Sequence, residues 1–282
     1  MNINVYTANA FCHNGSGGNG AGIVLDSERL LRSEKQRITT EMGLSETVFV
    51  GPSEKADFKL EYFTPAAEVD LCGHATIATF ALKNAKEGLS GNFVIETLAG
   101  LLDVRVEADG RVMMQQRRPE FFEVYEDVIF DECLPVDWVL RGMPIQAVST
   151  GLKDILMPID SVEHLRRIRP DFEKMAALNR QQGVVGIHAF ALSDEEGYVA
   201  ECRNFAPLYD IDEESATGTS NCALACYLHR YVERREEYRF LQGVSMGRTS
   251  EIVVRIDDRG EQIDRVMVGG YGKPCGVQTM EI

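Results

Sequence analysis

Two stretches of this chain look like helices with no polar side. "CGHATIATFAL" (72–82) turns on a glycine and then runs without an acid, lysine or arginine until Lys83. "TGTSNCALACYL" (217–228), far downstream, does the same until His229 and Arg230. A surface helix keeps charges on one face, whereas a helix apolar all round is enclosed on all sides. Any fold for this sequence must therefore wrap two separate helices.

The flanking segments repeat as well. "YFTPAAEVDLCG" (62–73) and "NFAPLYDIDEESATG" (204–218) both carry an aromatic residue, a proline, acids and then the glycine that opens the helix. Upstream, "GLSETVFV" (43–50) matches "GVVGIHAFA" (183–191), and downstream "IETLAGLLDVRV" (95–106) matches "LQGVSMGRTSEIVVRI" (241–256). A repeat this long is no solenoid, whose periods are about 20–50 residues. It predicts two similar domains. The remaining segments are short, alternating or β-branched, and separated by Gly, Asp and Asn turns, which predicts about six or seven strands in each half. The fold class expected is α+β: two pseudo-symmetric domains, each a barrel-like sheet around one apolar helix. Residues 1–117 form the first, completed by 265–282, and residues 118–264 form the second. "RRPEFFEVYEDVIF" (117–130) lacks periodicity and reads as the hinge between them.

With 29 basic against 44 acidic residues the chain carries a net charge of −15, which argues against a nucleic-acid partner. No apolar run reaches the roughly 20 residues of a membrane span, no signal peptide is visible, and seven scattered cysteines fit reduced thiols. A cytoplasmic protein is expected.

Each core helix begins at a glycine turn after a polar loop. Packing the halves about a pseudo-two-fold would bring both N-termini to one cleft, where free N–H groups around Gly73, His74, Gly218 and Thr219 favour an anion. The expected partner is a small-molecule carboxylate. Glu46 stands out in "SETVF" as a lone acid in an apolar strand, at a place where the second half has Gly186. A charge there is costly unless paired, so Glu46 is a candidate proton carrier whose pKa burial should raise. At a buried helix N-terminus His74 is expected to be neutral. Cys72 invites a thiol-racemase reading, but the second-half position before the glycine turn is taken as Ser215, too weak a base to complete a thiol pair. "GSGGNG" (15–20) fits a dinucleotide pattern in letters only, since a strand follows it rather than a helix. Cys222 and Cys226 lie one helical turn apart with no further ligand type in spacing, so they read as core. No metal and no cofactor is expected.

Taken together, "GLSETVFV", "YFTPAAEVDLCGHATIATFA", "NFAPLYDIDEESATGTS" and "LQGVSMGRTSEIVV" resemble the PhzF-like (phenazine biosynthesis-like) isomerase family, with its diaminopimelate epimerase-like fold. The resemblance spans nearly the whole chain. It implies a cofactor-independent isomerase or epimerase, a homodimer, that moves a proton on a small carboxylated metabolite with a glutamate. It places the catalytic glutamate on Glu46, the family's histidine on His74 and its second-half acid on Glu214. Substrate contacts fall on Asn19, Gly73, Gly218 and Thr219. In the second-half motif the chain departs from the family's usual residues at three places: Glu214 for Asp, Ser215 for Pro and Thr219 for Ser. Two alternatives stay open: a metabolite-binding protein without catalysis, and a racemase that uses Cys72.

Overall fold

In a computed structural model that describes residues 2–260 and 262–282, the chain forms two compact units. One unit is the chain up to Gln115 together with Gly269–Ile282, and the other is Gln116–Val268.

The first unit opens with β1 (Asn2–Ala10), β2 (Asn19–Val24), helix α1 (Arg32–Met42) and β3 (Thr47–Gly51). It continues through β4 (Phe58–Phe63), β5 (Glu68–Val69), α2 (Gly73–Glu87), β6 (Gly91–Thr97), β7 (Gly100–Val106) and β8 (Val112–Gln116). Strand β1 alternates as its sequence requires, with Ile3 and Val5 buried and Asn2 and Asn4 exposed. Its neighbour β2 is antiparallel to it and parallel to β3, and β4 runs antiparallel to β3 and parallel to β6. The sheet surrounds α2, which is buried from His74 through Lys83 and ends on Gly88 in the left-handed conformation (φ 68°). Fully enclosed side chains such as Ile77 and Phe80 each stabilise the fold by about 1.5–3 kcal/mol.

The second unit repeats that order. It runs β9 (Glu120–Tyr125), β10 (Ile145–Ser149), β11 (Lys153–Ile159), helices α3 (Val162–Arg167) and α4 (Phe172–Gln182), β12 (Ile187–Leu192) and β13 (Ala200–Ala206). After β14 (Ile211–Glu214) come the second enclosed helix α5 (Gly218–Tyr231), β15 (Glu237–Gln242), β16 (Ser250–Asp258) and β17 (Ile263–Gly270). Here β11 is parallel to β12, β13 is antiparallel to β12, and β15 is parallel to β13. The pairing pattern of β1 to β6 thus recurs from β10 to β15. The final strand, β18 (Lys273–Glu281), returns to the first unit and pairs antiparallel with β1.

The α+β architecture expected from the two bare helices is the one observed. The change of unit falls at Gln115–Gln116, just before the stretch 117–130 expected to link the halves. That stretch contains β9, which pairs with β10, followed by a 3₁₀ turn whose Phe130 is buried in the second unit's core. Tertiary pairing overrides the missing periodicity, because both faces of β9 stay largely exposed and leave no alternation to read.

Candidate active site

Register shows which residues of the two units correspond. In the first, Val48 of β3 faces Tyr62 of β4, and Tyr62 faces Val69 of β5. In the second, His188 faces Asn204, and Asn204 faces Glu214. Glu46 therefore matches Gly186, and Glu214 matches Val69, so each unit places its acid where the other has none. Gly186 cannot carry a side chain at all: a Cβ there would sit 2.3 Å from the Phe205 carbonyl oxygen. The same register corrects the assignment of Cys72. Its counterpart is Thr217, since each is the N-cap of its core helix, with extended backbone and no capping hydrogen bond from its side chain. Ser215 lies two residues earlier and is buried.

In the first unit Glu46, Cys72 and His74 come together. The end of the loop before β3 carries Glu46, and the Glu46 carbonyl is fixed by the Gly22 N–H at 2.9 Å. Its Oε2 lies 3.1 Å from His74 Nε2. Cys72 Sγ lies 3.4 Å from Nδ1 and 3.9 Å from Nε2 of the same ring. His74 is 7% and Cys72 9% exposed, while the Glu46 side chain keeps 18% of its surface open. Beneath them, Thr76 bonds the Cys72 carbonyl at 2.8 Å and the buried Tyr62 hydroxyl at 2.6 Å, which locks the first turn of α2.

This geometry reverses both protonation expectations. Burial pushes the Glu46 carboxyl up, but the close contact with His74 and its charge, together with Ser45, outweigh it and leave the pKa below the ordinary value. Burial pushes His74 down, yet Cys72 and Glu46 together hold its pKa well above the ordinary value. The sequence presents each group as if it were alone in an apolar medium, whereas an ion pair favours both charged forms. The Cys72 thiol is raised, chiefly by burial, which makes the thiolate that a thiol route needs scarce.

Glu214 lies in the second unit at the end of β14. Its Oε2 accepts a 2.7 Å hydrogen bond from the Thr217 hydroxyl. The fully buried Gln242 at the end of β15 binds this loop from both sides of its amide. Its Nε2 donates to the Glu214 carbonyl at 2.7 Å and the Thr217 hydroxyl at 3.1 Å, and its Oε1 accepts from Thr217 N–H at 3.1 Å and Asn221 at 2.7 Å. Gly218 and Thr219 form the first turn of α5, with the Thr219 carbonyl held by Thr150 at 3.0 Å. Asn19 begins β2, opposite Ala10 of β1. Gly73 begins α2, as Gly218 begins α5.

A second polar cluster, not singled out by sequence reasoning, lies beside α5. Asp154 Oδ2 accepts the Ser220 hydroxyl at 2.5 Å, and Asn204 reaches Ser220 and His188 Nδ1, both at 3.2 Å. Burial lifts Asp154 to about 6 against the pull of the Ser220 hydrogen bond, and it lowers His188 to about 3. The visible signal was His188, a single polar residue in the apolar run "GIHAFA".

Ligand-type atoms of Glu46, Cys72 and His74 also lie within 4.8 Å of one another. Spacing along the chain gave no hint of this set, because Glu46 reaches it from another strand.

The family model for phenazine biosynthesis-like proteins (PhzC–PhzF) matches residues 8–276 of the chain. The chain belongs to the phenazine biosynthesis-like protein family. A Bacillus anthracis phenazine biosynthesis protein of the PhzF family superposes with a TM-score of 0.91 at 29% identity, covering 100% of both chains. An uncharacterized isomerase of Deinococcus radiodurans is 33% identical, covering 90% of this chain and 86% of its own. The trans-2,3-dihydro-3-hydroxyanthranilate isomerase of Pseudomonas chlororaphis is 29% identical over 93% of this chain and 94% of its own. Membership of the PhzF family makes the protein an isomerase at family level. Among the described residues no helix is long and apolar enough to cross a membrane.

Proposed function

We propose that the protein is a cofactor-independent isomerase that moves a proton on a small carboxylated metabolite, with Glu46 as the proton carrier. The observation that supports this most directly is the Glu46–His74 pair at 3.1 Å. The carboxylate is already ionised, as a base must be, and the protonated imidazole beside it is an acid within reach of the same space. The uncapped first turn of α2 offers backbone N–H groups to a substrate carboxylate. In the second unit, Glu214, Gly218 and Thr219 are proposed as substrate-binding residues, with Thr217 fixing the Glu214 carboxylate and Gln242 its backbone.

Two features favour an acid–base route over a thiol route. The counterpart of Cys72 is a threonine, and the Cys72 thiol is held protonated by burial. The relative from Pseudomonas chlororaphis supplies the first compound to try, trans-2,3-dihydro-3-hydroxyanthranilate, in a panel of cyclic and acyclic carboxylates. Each compound is incubated with the protein in D₂O and followed by proton NMR. Loss of a carbon-bound proton signal, or a shifted double bond, is the expected result. A compound that binds tightly while every C–H bond stays intact would replace the isomerase by a metabolite-binding protein.

A further inference from the structure

The isomerase reading makes no use of the Cys72 thiol, although it sits 3.4 Å from the ring that the reading depends on. The three side chains bring one sulfur, one imidazole nitrogen and one carboxylate oxygen within 4.8 Å of one another. His74 Nε2 lies 3.1 Å from Glu46 Oε2 and 3.9 Å from Cys72 Sγ. Bond lengths of about 2.0–2.3 Å to zinc give edges of about 3.3–3.7 Å in a tetrahedral ligand shell. These two edges bracket that range and the third is within 4.8 Å, so side-chain rotations would close three corners and leave the fourth open. Glu46 Oε2 is sealed from solvent and, although in charge contact with His74, makes no aligned hydrogen bond.

We infer that Cys72, His74 and Glu46 form a binding site for a zinc-class divalent ion, and that the ion blocks the proton path when bound. A thiolate with an imidazole selects zinc, or cobalt as its spectroscopic substitute, over magnesium and calcium, which prefer all-oxygen shells. Binding releases the thiol proton and the ring proton to solvent, and it engages the carboxylate that would receive a proton from substrate. Cys72 would thereby make the site sensitive to free zinc.

The test is titration of the full-length reduced protein with Co²⁺, in the absence of any substrate. One equivalent should give near-ultraviolet thiolate-to-cobalt absorption together with visible bands of a tetrahedral ion, and Zn²⁺ should displace it while Mg²⁺ does not. Cys72→Ser should lose the thiolate band and weaken Zn²⁺ binding at least about tenfold. Cys275→Ser, at an exposed thiol, should change neither. In the wild-type chain, Zn²⁺ should also protect Cys72 from iodoacetamide, read by peptide mass spectrometry, which needs no variant to fold. No thiolate band, a band that follows Cys275, or a Cys72 alkylated equally with and without Zn²⁺ would overturn the site. Because metal binding is read without turnover, its outcome is independent of whether the isomerase reading holds.

Discussion

Glu46 and His74 exchange roles with their surroundings rather than with bulk water. Each is held in its charged form by the other, so removing either leaves a buried partner without its counter-charge. Glu46→Gln keeps the size and polarity but cannot accept a proton. Once a turnover assay is in hand, the variant should still bind substrate while proton exchange falls by at least about 10²-fold, the lower end for general acid–base catalysis. Near-native exchange in a folded variant would reassign the proton carrier. The other buried acid has the opposite character. Asp154, at about 6 in the folded chain against an ordinary 3.8, binds its proton more tightly when folded, so its contribution is fully present below pH 3.8 and lost as pH rises through 6. His188, at about 3 against 6.5, contributes stability above pH 6.5 that is lost as pH falls towards 3. Between about pH 4 and pH 6 the two slopes oppose each other. Asp154→Asn removes one of them. Measured by urea unfolding, the native chain should gain roughly 2 kcal/mol relative to this variant as pH falls from about 6.5 to about 4. Parallel pH profiles for the two proteins would show that Asp154 is not the group responsible.

At the scale of the element, the enclosed helices were the legible part. Absence of charge from Ala75 to Leu82 announced α2, and the residues buried in the fold end at the same Lys83 that ends the apolar run. The enclosure has a sharp edge that substitution can locate. Lysine in place of Ala78, fully buried, should destabilise by at least about 3 kcal/mol, because nothing there can solvate an ammonium group. Lysine in place of Ala85, exposed about two turns further on, should stay within about 0.5 kcal/mol. Equal losses in thermal or urea unfolding would mean that the helix is not enclosed as described. What the sequence hid is pairing across elements. Cys72 next to His74 is visible in the chain, but Glu46 opposite them depends on β3 register. Likewise Gln242 looks like an ordinary polar end to β15 until the fold brings the loop of Glu214 and Thr217 onto its amide. Thr217 is visible in the sequence, since it directly precedes Gly218 as Cys72 precedes Gly73, and the match slips to Ser215 only when Ala216–Gly218 is taken as one turn. The helix caps restore the alignment.

The whole molecule is organised by the return of β18 to the first unit, where it lies along β1 from Asn2 opposite Glu281 to Asn9 opposite Lys273. Its residues from Lys273 to Thr279 are all exposed, so it contributes few buried side chains besides Met280 and chiefly satisfies the backbone of β1. Deleting residues 273–282 would leave that side of β1 as an open sheet edge, a template for pairing between molecules. The truncated protein should scatter light in a concentration-dependent way under conditions where the full chain stays clear; an equally soluble truncation would mean that β1 finds another cover. The same strand sets an order of events during synthesis. Residues 116–268 contain every segment of the second unit, so that unit can close while the chain is still being made. The first unit is translated earlier but must wait with β1 uncovered until residues 269–282 have left the ribosome, which reverses the usual N-to-C succession in which domains fold.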